Sequence, residues 1–459
     1  MGSEWPEYRL GEVTYWSSGG TPPKNDESYW NGDIPWISAS SMSGNRYNKS
    51  KLRITQKGLK SGSRLATEGT ILLLVRGSML HKRIPVGIAE RDVSFNQDVK
   101  AIKAIDSIVD PWFLLFWFMS RENDLLGMVE NTGIGAGKLD TTLLQNMVIR
   151  IPPLNEREAI VAFAKALDDK IELNRRMNAT LEGMAQALFK SWFVDFDPVL
   201  DNALVAGNPI PEELAERAEV RRQALADGTA NREAAKQFPA AFQLSEEMGW
   251  IPVGWEVKTS SSLFDVRDGT HDSPKQSTTG KYLITSRHIT GNTIDYSNAY
   301  LISEEDFEQA NKRSKVDPYD ILLTMIGTVG SPFLVMEEEI NFAIKNVGLF
   351  KSGVNRTLAT YFFTYLKSDF MTAFMESRLA GTTQKYLTLK ILRTLPIPVP
   401  HSDIMKEFGN QTLPIFDKIH LNNSTTNSLV ALRDTLLPKL ISGELRIPKA
   451  EKLAEEAMA

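Results

Sequence analysis

Two stretches of the chain carry one pattern: apolar side chains recur every seven positions across some forty residues, with far less glycine and proline than the flanking sequence. In residues 154–193 the ladder runs Ile160, Leu167, Asn174, Leu181, Leu188; in residues 401–442 it runs Phe408, Ile415, Asn422, Leu429, Leu436. Ile171 and Trp192 widen the first stripe, Ile419 and Leu440 the second. Such spacing predicts two long amphipathic helices, each ~60 Å long at the rise of an α-helix. The polar rung falls at the same place in both. A buried Asn in an apolar seam fixes the register of a coiled coil at some cost in stability, so Asn174 and Asn422 are expected in the seam.

The remaining sequence has a different texture. Residues 1–153 and 251–398 are rich in Gly, Ser, Thr and aromatics, with short β-branched runs such as Thr70–Val75 and Ile321–Met325 between turn signals. These read as mixed, strand-rich globular heads. The heads repeat one another in order, at an offset of about 247 to 250 positions: Trp5 and Trp255, Ile37-Ser38 and Ile284-Thr285, Ile71-Leu72-Leu73 and Ile321-Leu322-Leu323, Ser78 and Thr328, Val99 and Val347. Lys138-Leu139 is aligned with Lys385-Tyr386, and Asp169-Lys170-Ile171 with Asp417-Lys418-Ile419. A match this long and this ordered indicates internal duplication.

The expected fold is therefore α+β: two mixed α/β heads and two long helices whose apolar stripes pair, in a pseudo-twofold internal repeat. The expected divisions are a first head (1–153), a first helical region (154–199), an acidic linker with a short helix (200–250), a second head (251–398), a second helical region (399–446) and a tail (447–459). The linker, helical from about Glu212 to Ala226, is expected to be a solvated connector.

Composition narrows the chemistry. The 459 residues contain no cysteine and five histidines in no metal-ligand spacing, which excludes disulfides and Cys-ligated metals and fits a reducing cytoplasm. No apolar run reaches the ~18 residues of a membrane helix. The net charge of −5 at first argues against a polyanionic partner. Residues 200–250, however, hold nine acidic side chains against five basic ones. Most of the acidity thus sits in the linker, and the heads and helices are nearly neutral.

Catalytic patterns fail on inspection. Gly133-Ile134-Gly135-Ala136-Gly137-Lys138 lacks the first glycine of a phosphate loop and is followed by Leu139 in place of Ser or Thr. Asp317-Pro318-Tyr319 only partly echoes the Pro-Pro-aromatic motif of adenine methyltransferases, and no Gly-rich S-adenosylmethionine loop accompanies it. Asp98-Val99-Lys100 suggests a nuclease fragment, yet its repeat partner Asn346-Val347-Gly348 has neither charge.

At this point a family likeness enters. The segments Phe189-Lys190-Ser191-Trp192-Phe193-Val194-Asp195-Phe196-Asp197-Pro198, Gly249-Trp250-Ile251-Pro252-Val253-Gly254-Trp255 and Leu436-Leu437-Pro438-Lys439-Leu440-Ile441-Ser442-Gly443-Glu444-Leu445, together with Gly20-Thr21-Pro22 and Ile149-Arg150-Ile151-Pro152-Pro153, resemble Type I restriction-modification specificity subunits over almost the whole chain. The resemblance implies a non-catalytic, sequence-specific DNA-binding subunit. Each head would be a target-recognition domain reading one half of a split, asymmetric site on double-stranded DNA, and the two long helices joining the heads would pack as an antiparallel coiled coil that acts as a spacer. It also implies two methyltransferase subunits docked on the helical regions and two restriction subunits in the full enzyme. These partners would carry S-adenosylmethionine, ATP and Mg; no cofactor or metal would bind this chain. The alternative is a stand-alone two-headed DNA-binding regulator or scaffold.

Base reading needs hydrogen-bonding side chains on loops, and phosphate contact needs positive charge. The first head offers Thr21, Lys24, Arg76, Ser78, Lys82, Arg83 and Lys138; the second offers Thr270, His271, Lys275, Arg287, His288, Thr328, Lys345 and Lys385. Positions shared by the repeats, Lys138 with Lys385 and Ser78 with Thr328, are expected to hold phosphate or shape the scaffold. Arg287 and His288, where the first head has Ser40 and Ser41, are the favoured base readers of the second head.

Overall fold

A computed structural model describes residues 5–132, 135–381 and 384–458. The opening residues of the first head and Gly133-Ile134 of the glycine-rich loop lie outside these ranges. The chain divides into two compact units, Met1–Arg175 with Ser424–Ala459, and Arg176–Asn423. Each contains one head and one half of each long helix.

In the first unit the strands β1 (Thr14–Ser18), β2 (Trp30–Ile37), β3 (Ile71–Leu74), β4 (Val86–Ala89), β5 (Val93–Phe95) and β6 (Val99–Ala104) form two sheets. One has the order β1-β6-β3-β4, ending on the short strand Arg46–Tyr47; the other places β2 parallel to β5 between Arg53–Ile54 and Arg64–Ala66. The run Ile71–Leu74 is buried at every position, as a continuous apolar strand should be in a covered sheet. Helix α1 (Pro111–Ser120) lies beneath it. Asp110 caps α1 by accepting from the backbone of Trp112 and Phe113, and proline at its first turn needs no hydrogen bond there. Its sequence is apolar on all sides, and Phe113 through Phe118 are accordingly buried.

Helix α2 (Leu154–Phe193) leaves this head. The segment that follows differs from the expected solvated connector. Helix α3 (Asp197–Ala206) is largely buried, and α4 (Ala215–Ala226), entered through the turn Glu212–Leu214, packs along it. Two carboxylates four residues apart on α3 meet two guanidiniums four residues apart on α4. Arg217 grips Asp197 through two bonds of 2.7 Å, and Arg221 grips Asp201 at 2.8 and 2.7 Å. Bidentate pairs of this kind are directional and strong, and Phe196, Val199 and Phe238 add apolar anchors in the second unit's core.

The second head repeats the first. Its strands are β7 (Asp265–Asp268), β8 (Lys281–Thr285), β9 (Ile321–Thr324), β10 (Pro332–Leu334), β11 (Phe342–Lys345) and β12 (Val347–Lys351). One sheet has the order β7-β12-β9-β10, and in the other β8 runs parallel to β11. Helix α5 (Arg356–Leu366) occupies the place of α1. Each head closes on itself in the same way, Glu7–Arg9 pairing with Val148–Arg150 and Glu256–Thr259 with Pro396–Val399.

The second long helix, α6 (Ser402–Ile441), is followed by α7 (Ile447–Met458). In both units α2 and α6 pack together antiparallel. In the first, Ile160 and Ala164 share a core with Leu436, Leu437, Leu440 and Ile441, and Asp168 binds Arg433 at 3.2 Å. In the second, Phe189, Trp192 and Phe193 meet Phe408; Phe189 and Phe408 are among the largest fully buried side chains, each worth about 2 to 3 kcal/mol relative to exposure.

The seam has two rows, and the sequence ladder traces the shallower one on α2. Leu167, Leu181 and Leu188 are only half-buried, whereas Ala164, Ile171, Ala185 and Trp192 are at most 4% exposed. A helix turning 3.6 residues per turn presents a stripe rather than a line, and here the deeper row lies four positions beyond Ile160. On α6, Phe408, Ile419, Asn422, Leu429 and Leu436 are buried and Ile415 is half-buried beside buried Phe416. Asn174 and Asn422 are buried, but they bond other partners than each other. Asn174 donates to Thr426 at 3.3 Å, and Asn422 donates to Asn178 at 2.8 Å, which in turn donates to Asn423 at 2.7 Å. Under the repeat offset Asn174 and Thr426 correspond to Asn422 and Asn178. The same polar rung thus occurs once in each unit.

Candidate nucleic-acid interface

The first head gathers most of its predicted residues on one rim. Gly19 lies so close to β5 that a Cβ would stand 2.2 Å from the Phe95 carbonyl oxygen, and Gly20 N–H donates to that oxygen at 3.0 Å. This approach, which only glycine allows, delivers Thr21 to Gln97, whose Oε1 accepts from its hydroxyl at 2.7 Å. The loop ahead of β6 then touches the end of β3: Val75 N–H donates to the Asp98 carbonyl at 2.8 Å. Next to Val75, Arg76 pairs with Lys138 and Gly77 with Gly137. His81 Nε2 lies 3.2 Å from the Gly135 carbonyl, and the Thr132 hydroxyl donates to the Ala136 carbonyl at 2.7 Å. Arg76 and Ser78 are exposed on this rim, Lys138 is half-buried, and Lys82 is exposed just beyond the turn.

Of the two remaining predicted residues of this head, one departs from the expectation. Lys24 is exposed on a separate loop, fastened where Trp30 donates to the Pro23 carbonyl at 3.1 Å. Arg83 is half-buried and donates to the Met42 carbonyl at 2.7 Å. It lines a cleft of about 300 Å³ with Arg175 and Arg433, away from the rim, so it is withdrawn as a reader. A buried carbonyl needs a donor, and Arg83 supplies it.

The second head builds the same rim with other side chains. A Cβ on Gly269 would stand 2.5 Å from the Ile344 carbonyl, the counterpart of the Gly19 approach. His271 Nδ1 lies 2.9 Å from Asn346 Oδ1, where the first head has Thr21 on Gln97. Asp268, buried, binds Arg313 and lies 3.3 Å from His271 Nε2. Lys345 reaches Ser273, and Lys275, Arg287, Thr328 and Lys385 are exposed. Thr270 is withdrawn: it is 5% exposed, its N–H and carbonyl bond Ile344 and Asn346, and its hydroxyl accepts from Asp272 N–H.

His288 is also withdrawn. It is fully buried, and its Nδ1 accepts from Thr285 N–H at 3.0 Å while its Nε2 lies 3.0 Å from Arg287 Nε. Ser41 holds the same post in the first head, accepting from Ser38 N–H at 2.9 Å. Both close a capping box on a three-residue turn, which satisfies a backbone donor that would otherwise be orphaned. Arg287 remains at the exposed tip of that turn.

The expected equivalence of Lys138 and Lys385 also fails. Leu139 N–H donates to Val75 and Leu387 N–H to Met325, each at 2.9 Å, and Tyr386 bridges Ile326 where Lys138 pairs with Arg76. The counterpart of Lys138 is therefore Tyr386, one residue on from Lys385. Ser78 and Thr328 do correspond, each following the glycine of its turn.

Sequence reasoning missed Gln97, Asn346 and Arg313. Gln97 and Asn346 stand just ahead of the repeated valines Val99 and Val347, a usable signal. Arg313 lies near the end of the helix Glu304–Ser314, with no motif to mark it. Among the described residues no group of His, Cys, Asp or Glu is arranged to hold a metal ion, and no helix is long and apolar enough to cross a membrane. The rims instead present amides, hydroxyls, an imidazole and guanidiniums on peptide held by strands, the groups that recognise base edges and phosphates.

Both repeats match the family described as the Type I restriction modification DNA specificity domain, over residues 2–183 and 252–430. The chain belongs to this family. It is thus of the kind that confers DNA specificity in Type I restriction-modification systems and not of the kind that catalyses. Among curated relatives, the MjaIX specificity subunit of Methanocaldococcus jannaschii is 25% identical over 459 residues, 97% of this chain and 94% of the relative. The HindI specificity subunit of Haemophilus influenzae is 27% identical over 377 residues, 74% and 78% of the two chains. The crystal structure of a Type I S subunit from M. genitalium shares the fold, with a TM-score of 0.50 at 15% identity over 95% of this chain and 96% of that one.

Proposed function

We propose that each head reads one half of a split duplex site and that the site is asymmetric. The observation that carries this reading is the pair of rims: one scaffold presents Thr21, Gln97, Arg76 and Lys138 in one head and His271, Asn346, Arg313 and Tyr386 in the other. Shared strands and divergent readers are what two different half-sites require. Two methyltransferase subunits dock on exposed faces of the helical regions and supply S-adenosylmethionine and base flipping. Two restriction subunits, with ATP and Mg, complete the nuclease.

Co-expression with candidate methyltransferase subunits, followed by long-read methylation mapping of the host DNA, tests this. A split, asymmetric adenine-methylated motif that disappears when this chain is deleted is the expected result. Duplex binding without any co-purifying methyltransferase or motif would instead favour a stand-alone DNA-binding scaffold.

A further inference from the structure

The repeated Asp-Lys-Ile triplets of α2 and α6 have a part in the structure that DNA reading does not absorb. In the first unit Asp169 accepts from Arg46 Nη2 at 2.6 Å, and the neighbouring Asp168 accepts from Arg46 Nε and Nη2 at 2.9 and 2.6 Å. Arg46 belongs to the head and lies over Trp112, 4.8 Å from the ring centre. In the second unit Asp417, the repeat mate of Asp169, accepts from the Tyr319 hydroxyl at 2.9 Å. Arg356 covers the Tyr319 ring at 4.4 Å.

Tyr319 sits in a conformation that needs explaining. Its φ is +63°, in the left-handed region that an aromatic residue rarely adopts. The first head has Gly69 there, with φ of +82°. The two positions are equivalent, because Gly69 N–H donates to Ala89 and Tyr319 N–H to Val335 from the same turn into the same neighbouring strand. Glycine adopts this turn at no steric cost; tyrosine does so under strain, and its side chain reaches the helix.

We propose that the aspartates Asp169 and Asp417 are the helix-side anchors of a latch in each unit, and that Tyr319 is a positioning residue that fixes the angle of the second head on its stretch of helix and so the spacing it tolerates between half-sites. The inference rests on the split-site reading above. A head held at one angle presents its rim at one distance along the duplex. Released from the helix, it keeps its base preference but accepts neighbouring spacings.

The test uses the full chain co-expressed with its methyltransferase subunit, once the cognate motif is mapped, on duplexes whose spacer is lengthened or shortened by one or two base pairs. Tyr319→Phe keeps the ring under Arg356 and removes only the hydroxyl. Its preference for the cognate spacer over the shifted ones is expected to fall about fivefold, with the bases of both half-sites unchanged. Asp417→Ala is expected to match it, and Asp417→Asn, which retains an acceptor, to behave as the wild type. Unchanged spacer preference in Tyr319→Phe overturns the latch, as does a changed base preference. If the unmodified chain directs no split motif, the split-site reading fails and the latch with it.

Discussion

At the repeated aspartates the first head meets its helix through charge and the second through a neutral hydroxyl. Beside Asp169, the repeat mate of Asp417, the 1% exposed Asp168 gathers Asn45, Arg46 and Arg433, and Arg46 also binds Asp169. Around Asp417, which is exposed, stands one tyrosine hydroxyl. Both contacts serve the same topological purpose, on repeated helices and repeated strands. The comparison teaches that duplication preserved the backbone ladder and left the side-chain solution free, and the same freedom at the rims is what two different half-sites need. The energetic consequences, however, should differ widely. Removing the buried carboxylate that Arg46 and Arg433 share loses charge-assisted bonds, although Arg46 keeps Asp169 and Glu90 and Arg433 keeps Asp434, and costs about 2 to 3 kcal/mol; removing an exposed acceptor from one hydroxyl costs about 1 kcal/mol. Chemical denaturation of the full chain should therefore show Asp168→Ala to be about two to three times as damaging as Asp417→Ala. Equal losses would break the distinction between a charged and a neutral latch.

A second contrast separates scaffold from reader within a single turn. His288 and Ser41 are capping residues, whereas Arg287 and Ser40 stand outside on the exposed tips. His288→Ala should destabilise the chain by about 2 to 3 kcal/mol, through the lost cap and the cavity left by the ring. Ser41→Ala should cost only about 1 kcal/mol. Arg287→Ala should leave unfolding within about 0.5 kcal/mol of the parent, yet weaken cognate binding by about 1 to 3 kcal/mol and relax preference at one base pair. If Arg287→Ala alters stability and leaves base preference intact, the arginine belongs to the scaffold with its neighbour.

These contrasts also show what the chain's pattern could and could not reveal. The long helices were legible because a seven-residue period sustained over some forty residues has one structural reading, and the duplication because ordered matches rarely arise by chance. The depth of each rung was not legible: Leu167 and Ala164 differ in burial by packing, not by pattern. Nor was the burial of His288, since a three-residue turn leaves no periodicity. The offset between Lys138 and Lys385 misled because two lysines look alike in sequence, whereas ladder register is set by the backbone. Leu139 and Leu387, both nearly fully buried, held the correct alignment. The connecting segment was legible in principle, since Asp197 and Asp201 share the four-residue spacing of Arg217 and Arg221.

The corrected alignment makes the smallest of the expected differences. Lys138 pairs with Arg76 on the first rim, and the second rim has Tyr386 beside Ile326. A lysine that neutralises one phosphate releases counterions and contributes about 0.9 to the slope of log affinity against log salt. Lys138→Ala should thus weaken binding to all duplexes alike and make the salt dependence shallower by about that amount. Tyr386→Ala should leave the slope untouched, because a phenol at this position releases no counterion. Salt titrations of the two variants on one duplex compare the rims directly. Equal slopes for Lys138→Ala and the parent would mean that the Lys138 ammonium faces away from the backbone of the DNA, and that Arg76 beside it carries the phosphate contact.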